Sequence, residues 1–273
     1  MSNSNKNGSM ELLHLANTNN ISPEAFEREL WSLSKGHKRQ GRNYKGDEVR
    51  IYRTRVWRAS ERPKSIAELS YPPQHATPLG RANLEGAPLF YASAGLPASF
   101  VECRLEKGEY VICSEWRNTT DMLLQEVGLS NNENVLDIEK IYHNIFTSTD
   151  AAMYKFSARI ARHLLSGDPI SGLIYPSIAA QNNSHNIALK TGFVDTGLQV
   201  VNASLYYLKN ATSSFQYEIE EIDFALPKLD GSLNWKGRKR QWVIRESGGQ
   251  LKMVSNGWSW NAFDPAGILV APE

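Results

Sequence analysis

The chain changes its hydrophobic period often and at uneven intervals, and this limits the folds open to it. Val49, Ile51 and Arg53 alternate with Arg50, Tyr52 and Thr54, the period-two pattern of a strand that continues to Arg55. Short strand-type runs recur at Leu89–Ala92, Glu109–Cys113, Gly172–Ser177, Asn186–Lys190 and Ser204–Leu208. Helical spacing is confined to three places. Ser22-Pro23-Glu24 reads as an N-cap, a proline at the first helical position and an acid in the first turn, followed by Phe26, Leu30, Trp31 and Leu33 on one face. A second helix starts near Pro97 and runs to about Leu105 on Phe100, Val101 and Leu105, with Glu102 at its middle. A third is capped by Thr149 or Asp150, carries a buried stripe of Met153, Phe156, Ile160 and Leu164, and stops at Gly167 after about Ser166. So few helices among so many strands exclude a regular strand–helix–strand series and predict an α+β fold.

Residues 60–88 hold Pro63, Pro72, Pro73, Pro78 and Pro88 and read as one long irregular connection. Such loops inside compact domains are often lids or binding loops. The polar residues 1–9 are expected to be disordered, and the basic, glycine-bearing Lys35–Lys45 to be an exposed linker. After about Asn210 the pattern turns β-rich. Gln241–Arg245 and Leu251–Ser255 read as two arms of a hairpin around Ser247-Gly248-Gly249, and four of the seven tryptophans fall in this tail. The expected organisation is an N-terminal extension over residues 1–45, a central domain over 46–210 and an appended β-rich segment over 211–273.

Composition enters mainly by exclusion. The chain has 273 residues, 41% hydrophobic and 22% charged, enough for a sizeable core without disulfides or metal. With 30 basic against 29 acidic side chains, the formal net charge is +1. That balance argues against coating nucleic acid or an anionic membrane as the main task. The run Lys236–Arg240 between Trp235 and Trp242 has the form of a basic–aromatic patch, and a solvated turn is the simpler reading. No stretch approaches about 18 consecutive apolar residues, so no membrane span is expected. The N-terminus lacks the apolar core of a secretory signal, and a cytoplasmic chain with reduced thiols is expected. Self-association is left open.

Several chemistries find no support. Cys103 and Cys113 are too few for a disulfide scaffold or a four-thiolate zinc site, and no local signature makes Cys103 a nucleophile. His14, His37, His75, His143, His163 and His185 show no metal-ligand spacing, and no metal is expected. There is no GxGxxG after a strand, no GxxxxGK[ST] and no GxSxG.

One constellation survives. In Gly80-Arg81-Ala82-Asn83, with Gly86 beyond, a glycine-flanked Arg-x-Asn leads into the strand bearing Tyr91, and Glu102 follows 21 residues after Arg81. Tyr175-Pro176-Ser177 lies further on. An arginine in a glycine-bearing loop suits a phosphate, because its planar fork binds oxyanions bidentately. Tyr91 offers a stacking face, and a helical carboxylate can point into a cleft. Arg53 closes a mostly apolar row, a costly place for a cation unless it meets an anion. A small change of register would give that place to Arg55 or Arg58.

These pieces resemble the RES-domain family, named for its Arg, Glu and Ser. The matching segments are Ile51-Tyr52-Arg53, Gly80–Asn83 with Gly86, Leu89-Phe90-Tyr91, Ala98–Glu102, and Tyr175-Pro176-Ser177 with Asn186-Ile187-Ala188-Leu189. They stand in the family's order over about residues 49–210. Ala82 stands where the family loop often has an aromatic. The resemblance implies an ADP-ribosyltransferase-like core of two small β-sheets packed at an angle around a cleft for NAD, with NAD as substrate. By the same resemblance, Arg53 and Arg81 grip the dinucleotide and Tyr91 lies near the nicotinamide. Asn83 belongs to the binding loop, Glu102 is the acidic residue and Ser177 the family serine. The implied activity is that of a toxin cleaving the nicotinamide–ribose bond by hydrolysis or phosphorolysis and restrained by a protein antitoxin. Its rivals are an ADP-ribosyltransferase using the same residues, and a non-catalytic module binding through Arg238, Lys239 and Arg240.

Overall fold

The computed structural model describes residues 3–37, 39–129, 137–180, 184–213, 216–237, 240–247, 250–255 and 258–261. In chain order the elements are α1 (Asn3–Asn17), α2 (Pro23–Leu33), β1 (Gly41–Tyr44), β2 (Arg50–Val56), β3 (Leu89–Ser93), α3 (Leu96–Glu102), β4 (Tyr110–Asn118), β5 (Met122–Glu126), α4 (Asp137–Phe146) and α5 (Tyr154–Leu165). There follow β6 (Gly172–Pro176), β7 (His185–Lys190), α6 (Thr191–Gly197), β8 (Leu198–Ser213), β9 (Gln216–Pro227), β10 (Leu233–Trp235), β11 (Arg240–Ser247), β12 (Gln250–Ser255) and β13 (Trp258–Asn261). The mixture of one large sheet and peripheral helices is the α+β class that the uneven periodicity predicts.

The strands form one hydrogen-bonded path, β1-β5-β6-β7-β3-β2-β4-β8-β9-β11-β12-β13, with β10 on the side of β9. Two separate small sheets are the expectation; here a single contact joins two ladders. Strands β2 and β3 share only the register pair Tyr52–Ser93, and beyond it they part. On one side β3 pairs β7, β7 pairs β6, and β6 lies parallel to β5, the crossover between these two being made by α4 and α5. On the other side β2, β4, β8 and β9 run antiparallel in sequence.

Register aligns one polar row across the narrow join. Tyr175 faces Asn186, Asn186 faces Ser93, Ser93 faces Tyr52, Tyr52 faces Glu115 and Glu115 faces Asn202. Opposed residues of antiparallel strands project to the same face, so this row crosses six strands on one side of the sheet.

The helices cover one flank. Ser22 caps α2 by accepting the Ala25 N–H at 3.2 Å, and Asp150 accepts the Ala152 N–H at 2.8 Å in the 3₁₀ turn that opens α5. Phe26 and Leu30 of α2 pack with Ile141, Ile145 and Phe146 of α4, with Phe156 and Ile160 of α5, and with Leu173 and Tyr175 of β6. Helix α1 starts at Asn3, within the segment whose composition points to disorder; Leu12, Leu13 and Ala16 are buried in the same cluster and supply the packing that a polar first turn lacks. The basic segment Lys35–Lys45 likewise does more than link. Its last residues form β1, which pairs β5 from Gly41–Gln125 to Tyr44–Met122.

Helix α3 is shorter than its apolar spacing suggests. The Cys103 N–H turns back to the carbonyls of Phe100 and Val101, and Arg104 adopts a left-handed φ of 47°, which ends the helix. Glu102 is therefore the last helical residue and not a mid-helix one.

Residues 57–88 are irregular apart from two short 3₁₀ turns at Ile66–Leu69 and Gln74–Ala76. The C-terminal strands brace this loop. The Trp235 indole N–H donates to Pro63 O at 2.8 Å, the Leu233 N–H to Lys64 O at 2.9 Å, and Arg62 pairs with the fully buried Asp223 at 2.8 Å. The predicted hairpin is present as β11 and β12, in register from Val243–Val254 to Ser247–Gln250. Gly248, Gly249, Arg238 and Lys239 lie outside the described residues.

Candidate functional site

The split between β2 and β3 opens a cavity of about 230 Å³, lined by Arg53, Thr54, Tyr91, Ser93, Ser99, Glu102, Cys103, Tyr175 and Asn186, with Tyr52 at its edge. Glu102 reaches it from the end of α3. One carboxylate oxygen, Oε1, accepts from the Ser177 hydroxyl and from Asn186 Nδ2, the latter at 2.7 Å. Ser177 lies just past β6 and Asn186 on β7, so strand pairing presents both to one oxygen. Each donor is itself fixed: Ser177 Oγ accepts the Ala180 N–H at 2.9 Å, and Asn186 Oδ1 accepts the Ser93 hydroxyl at 2.9 Å. Oε2 makes no bond to the described residues. With one oxygen anchored and the other free, the carboxylate has a set direction and an open coordination side. The Ser177 hydroxyl donates its hydrogen bond to Glu102 and so fixes the direction of the carboxylate.

Arg53 enters the same cavity from β2. Its Nη1 donates to Tyr91 O at 2.8 Å across the split, and its guanidinium lies 5.3 Å from the centre of the Phe90 ring. Its Nε is buried without a partner. Burial, and then the nearby Arg55 charge, pull the guanidinium down from its ordinary 12.5 to about 10. A half-buried cation with an unsatisfied buried donor and no carboxylate partner is chemically suited to meet an anion. The choice left open by the sequence falls to Arg53: Arg55 stacks against Trp57 at 5.7 Å, and the exposed Arg58 faces Glu109.

The Arg-x-Asn loop sits beside this cavity. Arg81 donates to the carbonyls of Phe146 and Ser148 at the end of α4, and to the Tyr154 hydroxyl at 3.4 Å, with its guanidinium 4.8 Å from the Tyr154 ring centre. Asn83 donates to Pro78 O and Leu84 O, both at 2.8 Å, and accepts the Tyr91 hydroxyl at 2.7 Å. That hydroxyl also accepts the Ala82 N–H at 2.9 Å, and burial drives its pKa up. A side chain on Gly80 would overlap Asn83 and crowd the Tyr91 hydroxyl, and Gly86 has a φ of 71°, so both flanking glycines are required by geometry. Of the six residues singled out from the sequence, the fold brings Arg53, Tyr91, Glu102 and Ser177 together. It spends Arg81 and Asn83 on holding the loop.

Sequence reasoning missed Asn186, Ser93 and Tyr175 as members of the site. Their strands show no clean alternation of burial to single them out, and only the pairing of β3, β6 and β7 makes them neighbours. Cys103, also at the cavity wall, donates to Thr54 O at 3.0 Å, and burial pushes its thiol up to about 12, away from a nucleophile's range. Among the described residues no three His, Cys, Asp or Glu side chains are placed to hold a metal ion. A larger apolar cavity of about 760 Å³ lies across the loop, lined by Asn83, Leu89, Lys190 and Phe193. Of its cations, Lys190 donates to Gly167 O and Arg162 pairs with Glu27.

Residues 55–207, more than half of the chain, match the RES domain. The chain belongs to the RES-domain family. The match agrees in extent with the resemblance carried by the sequence segments, and the RES region contains all of the cavity residues except Tyr52, Arg53 and Thr54 of β2. The RES family is associated with NAD-processing enzymes and with toxin–antitoxin systems. No curated protein matches the chain. No helix among the described residues is long and apolar enough to cross a membrane.

Proposed function

We propose that this RES protein cleaves the bond between nicotinamide and ribose in NAD, with water or phosphate as acceptor. The observation that carries the reading is Glu102: one oxygen held by Ser177 and Asn186, the other free, in a cavity shared with the half-buried cation Arg53. As the C1′–N bond breaks, its electron pair leaves with neutral nicotinamide and positive charge builds on the ribose. A fixed carboxylate stabilises that charge and holds a ribose hydroxyl or the incoming acceptor. Water then adds at C1′ and gives up one proton, yielding ADP-ribose; phosphate adds to give the 1-phosphate. At about 230 Å³ the cavity is smaller than the roughly 300–1,000 Å³ of whole-ligand pockets, which suits the nicotinamide–ribose end alone.

Arg53 is assigned the nearest phosphate, and the Tyr91 ring the wall beside the nicotinamide. Arg81 and Asn83 act through the loop they brace, holding Tyr91 in place. The split sheet corresponds, on this reading, to the two packed sheets of an ADP-ribosyltransferase-like core, with residues 46–210 as the catalytic unit and the C-terminal strands as its brace. A protein antitoxin that covers the cleft and a cytoplasmic site of action complete the proposal. NAD is the substrate, and no metal takes part.

The test is NAD loss and nicotinamide release by purified protein, with and without phosphate, beside Glu102→Ala. Loss that depends on Glu102 is expected, and its phosphate dependence separates phosphorolysis from hydrolysis. Equal turnover by Glu102→Ala would overturn the assignment. Mass addition to a protein or nucleic acid in lysate, with no release to water or phosphate, would favour transfer to a macromolecule.

A further inference from the structure

Beyond Tyr52, on the same face of the sheet, lies a second cavity of about 250 Å³. It sits between β2, β4, β8, β9, β11 and β12, under the first residue of α3. Its wall combines four aromatic rings, Tyr52, Tyr206, Phe224 and Trp242, with Glu115, Glu221 and Asn202.

Two buried groups there lack what they need. Glu221 is 4% exposed, yet its carboxylate meets only neutral donors, the Ser204 hydroxyl at 2.9 Å and the Trp242 indole at 3.3 Å. No basic side chain among the described residues lies within ion-pair distance of it; Arg240, directly opposite on β11, is exposed, and its charge reaches Glu221 only from beyond that distance. Glu115, by contrast, is served by Arg50 at 3.2 Å and Asn202 at 2.7 Å. The second group is the Tyr52 hydroxyl, on a side chain 4% exposed, buried with no hydrogen-bond partner. Tyr52 lines this cavity as well as the one beside Glu102. Buried charges are ordinarily paired and buried hydroxyls bonded.

We infer that this cavity binds a small organic cation bearing N–H groups, a primary ammonium, with Glu221 as its counter-ion and the Tyr52 oxygen as an acceptor. The aromatic walls add cation–π attraction. Burial pushes the Glu221 carboxyl above the ordinary carboxylate range against its two hydrogen bonds, and an ammonium beside it would bring it back. A metal ion fits less well, because the described residues offer no cluster of three ligating side chains. The register shifts by a bulge at Glu115/Trp116 and again at Leu205/Tyr206, so both strands are re-aimed at the cavity wall. The inference stands apart from NAD cleavage, since Glu221 is not a wall of the catalytic cavity.

The experiment is calorimetric titration of the full chain at pH 7 with n-butylammonium chloride, beside tetramethylammonium chloride and 1-butanol. Saturable one-to-one binding of n-butylammonium is expected, with tetramethylammonium and 1-butanol at least tenfold weaker. Glu221→Gln should weaken it at least tenfold and leave nicotinamide release unchanged. Asn202→Leu, which fills the cavity without touching Glu221, should do the same to binding and decides the matter if Glu221→Gln does not fold. No saturable binding by the native chain, equal binding of 1-butanol, or unchanged affinity in a folded variant would each overturn the inference.

Discussion

Ser177 donates its hydroxyl proton to Oε1 of Glu102, the same oxygen that Asn186 reaches from the neighbouring strand. A carboxylate held this way can act from its other oxygen without first choosing a rotamer. A hydrogen bond to a charged group is worth about 1.5–3 kcal/mol, and each 1.36 kcal/mol is tenfold in rate. Ser177→Ala is therefore expected to lower kcat for nicotinamide release by roughly 10–100-fold. KM for NAD should change much less, because Ser177 has no free proton to offer the substrate. Wild-type kcat in a folded Ser177→Ala protein would remove Ser177 from the mechanism.

Arg53 is held at a cost to the empty protein. Its pKa falls from 12.5 to about 10 on folding, so the charged form is disfavoured at all working pH. The sign follows: below about pH 10 both states carry the proton and the full penalty stands, and stability recovers only as pH rises from 10 toward 12.5. Against that cost stand the charge-assisted bond to Tyr91 O, worth about 1.5–3 kcal/mol, and the contact with the Phe90 ring, worth about 1 kcal/mol. Arg53→Met should therefore change Tm little while losing NAD turnover. Pyrophosphate should raise Tm of the native protein and not of the variant. A fall in Tm of more than about 5 °C in Arg53→Met would mean the guanidinium is a net structural asset.

A different charge cluster ties the N-terminal helices to the fold. Glu27 of α2 meets Arg162 and Arg159 of α5, the Arg159 contact at 2.8 Å. Burial alone would raise the Glu27 pKa, but the two arginines outweigh it and the net shift is downward. A depressed carboxylate contributes stability above its unfolded value near 4.5 and loses it as pH falls through the lower folded value. Glu27→Gln should lower Tm at pH 7, by the equivalent of about 1–2 kcal/mol. The gap between variant and native protein should narrow as pH falls below 4.5 and close once pH is under the lower folded value. A gap that is the same at pH 3 and pH 7 would show that packing, not charge, is at work.

Much of the fold is legible in the sequence because local rules and tertiary packing agree there. The stripe Met153, Phe156, Ile160 and Leu164 is buried as its spacing demands, and the proline-rich stretch is the long loop it resembles. Helix α4 has the same kind of spacing in Ile138, Ile141, Tyr142 and Ile145, but it follows a polar segment without a plain cap, and its start does not announce itself. Strands β1 and β5 are short and have meaning only as partners. At the site, Glu102 and Ser177 can be singled out by residue type. Their contact cannot, since it depends on where α3 stops and on the register of β6 with β7. Arg81 shows the converse: a loop arginine suits a phosphate on chemistry alone, yet the end of α4 presents free carbonyls that claim it first.

The C-terminal strands act on the loop through Asp223. Its carboxylate is fully buried, pairs with Arg62 at 2.8 Å, and accepts the N–H groups of Phe224 and Gly237 at 2.8 and 2.6 Å. Removing it strands buried donors and one cation, a loss of roughly 3–5 kcal/mol. Asp223→Ala should lower Tm by about 10 °C. The same change frees the anchored end of residues 57–88, so trypsin should cut after Arg58 or Lys64 faster below the melting range. Trp235→Phe, which loses the bond to Pro63 O and part of the ring that packs on the core and under Arg62, should cost about 1–2 kcal/mol and leave cleavage intermediate. The same loop carries Ala82 and Asn83, which hold the Tyr91 hydroxyl, so KM for NAD should rise in Asp223→Ala while Glu102 and its donors keep kcat within a few-fold. Unchanged tryptic cleavage in a destabilised Asp223→Ala would mean that the loop is held by its own 3₁₀ turns and that the C-terminal strands serve only global stability.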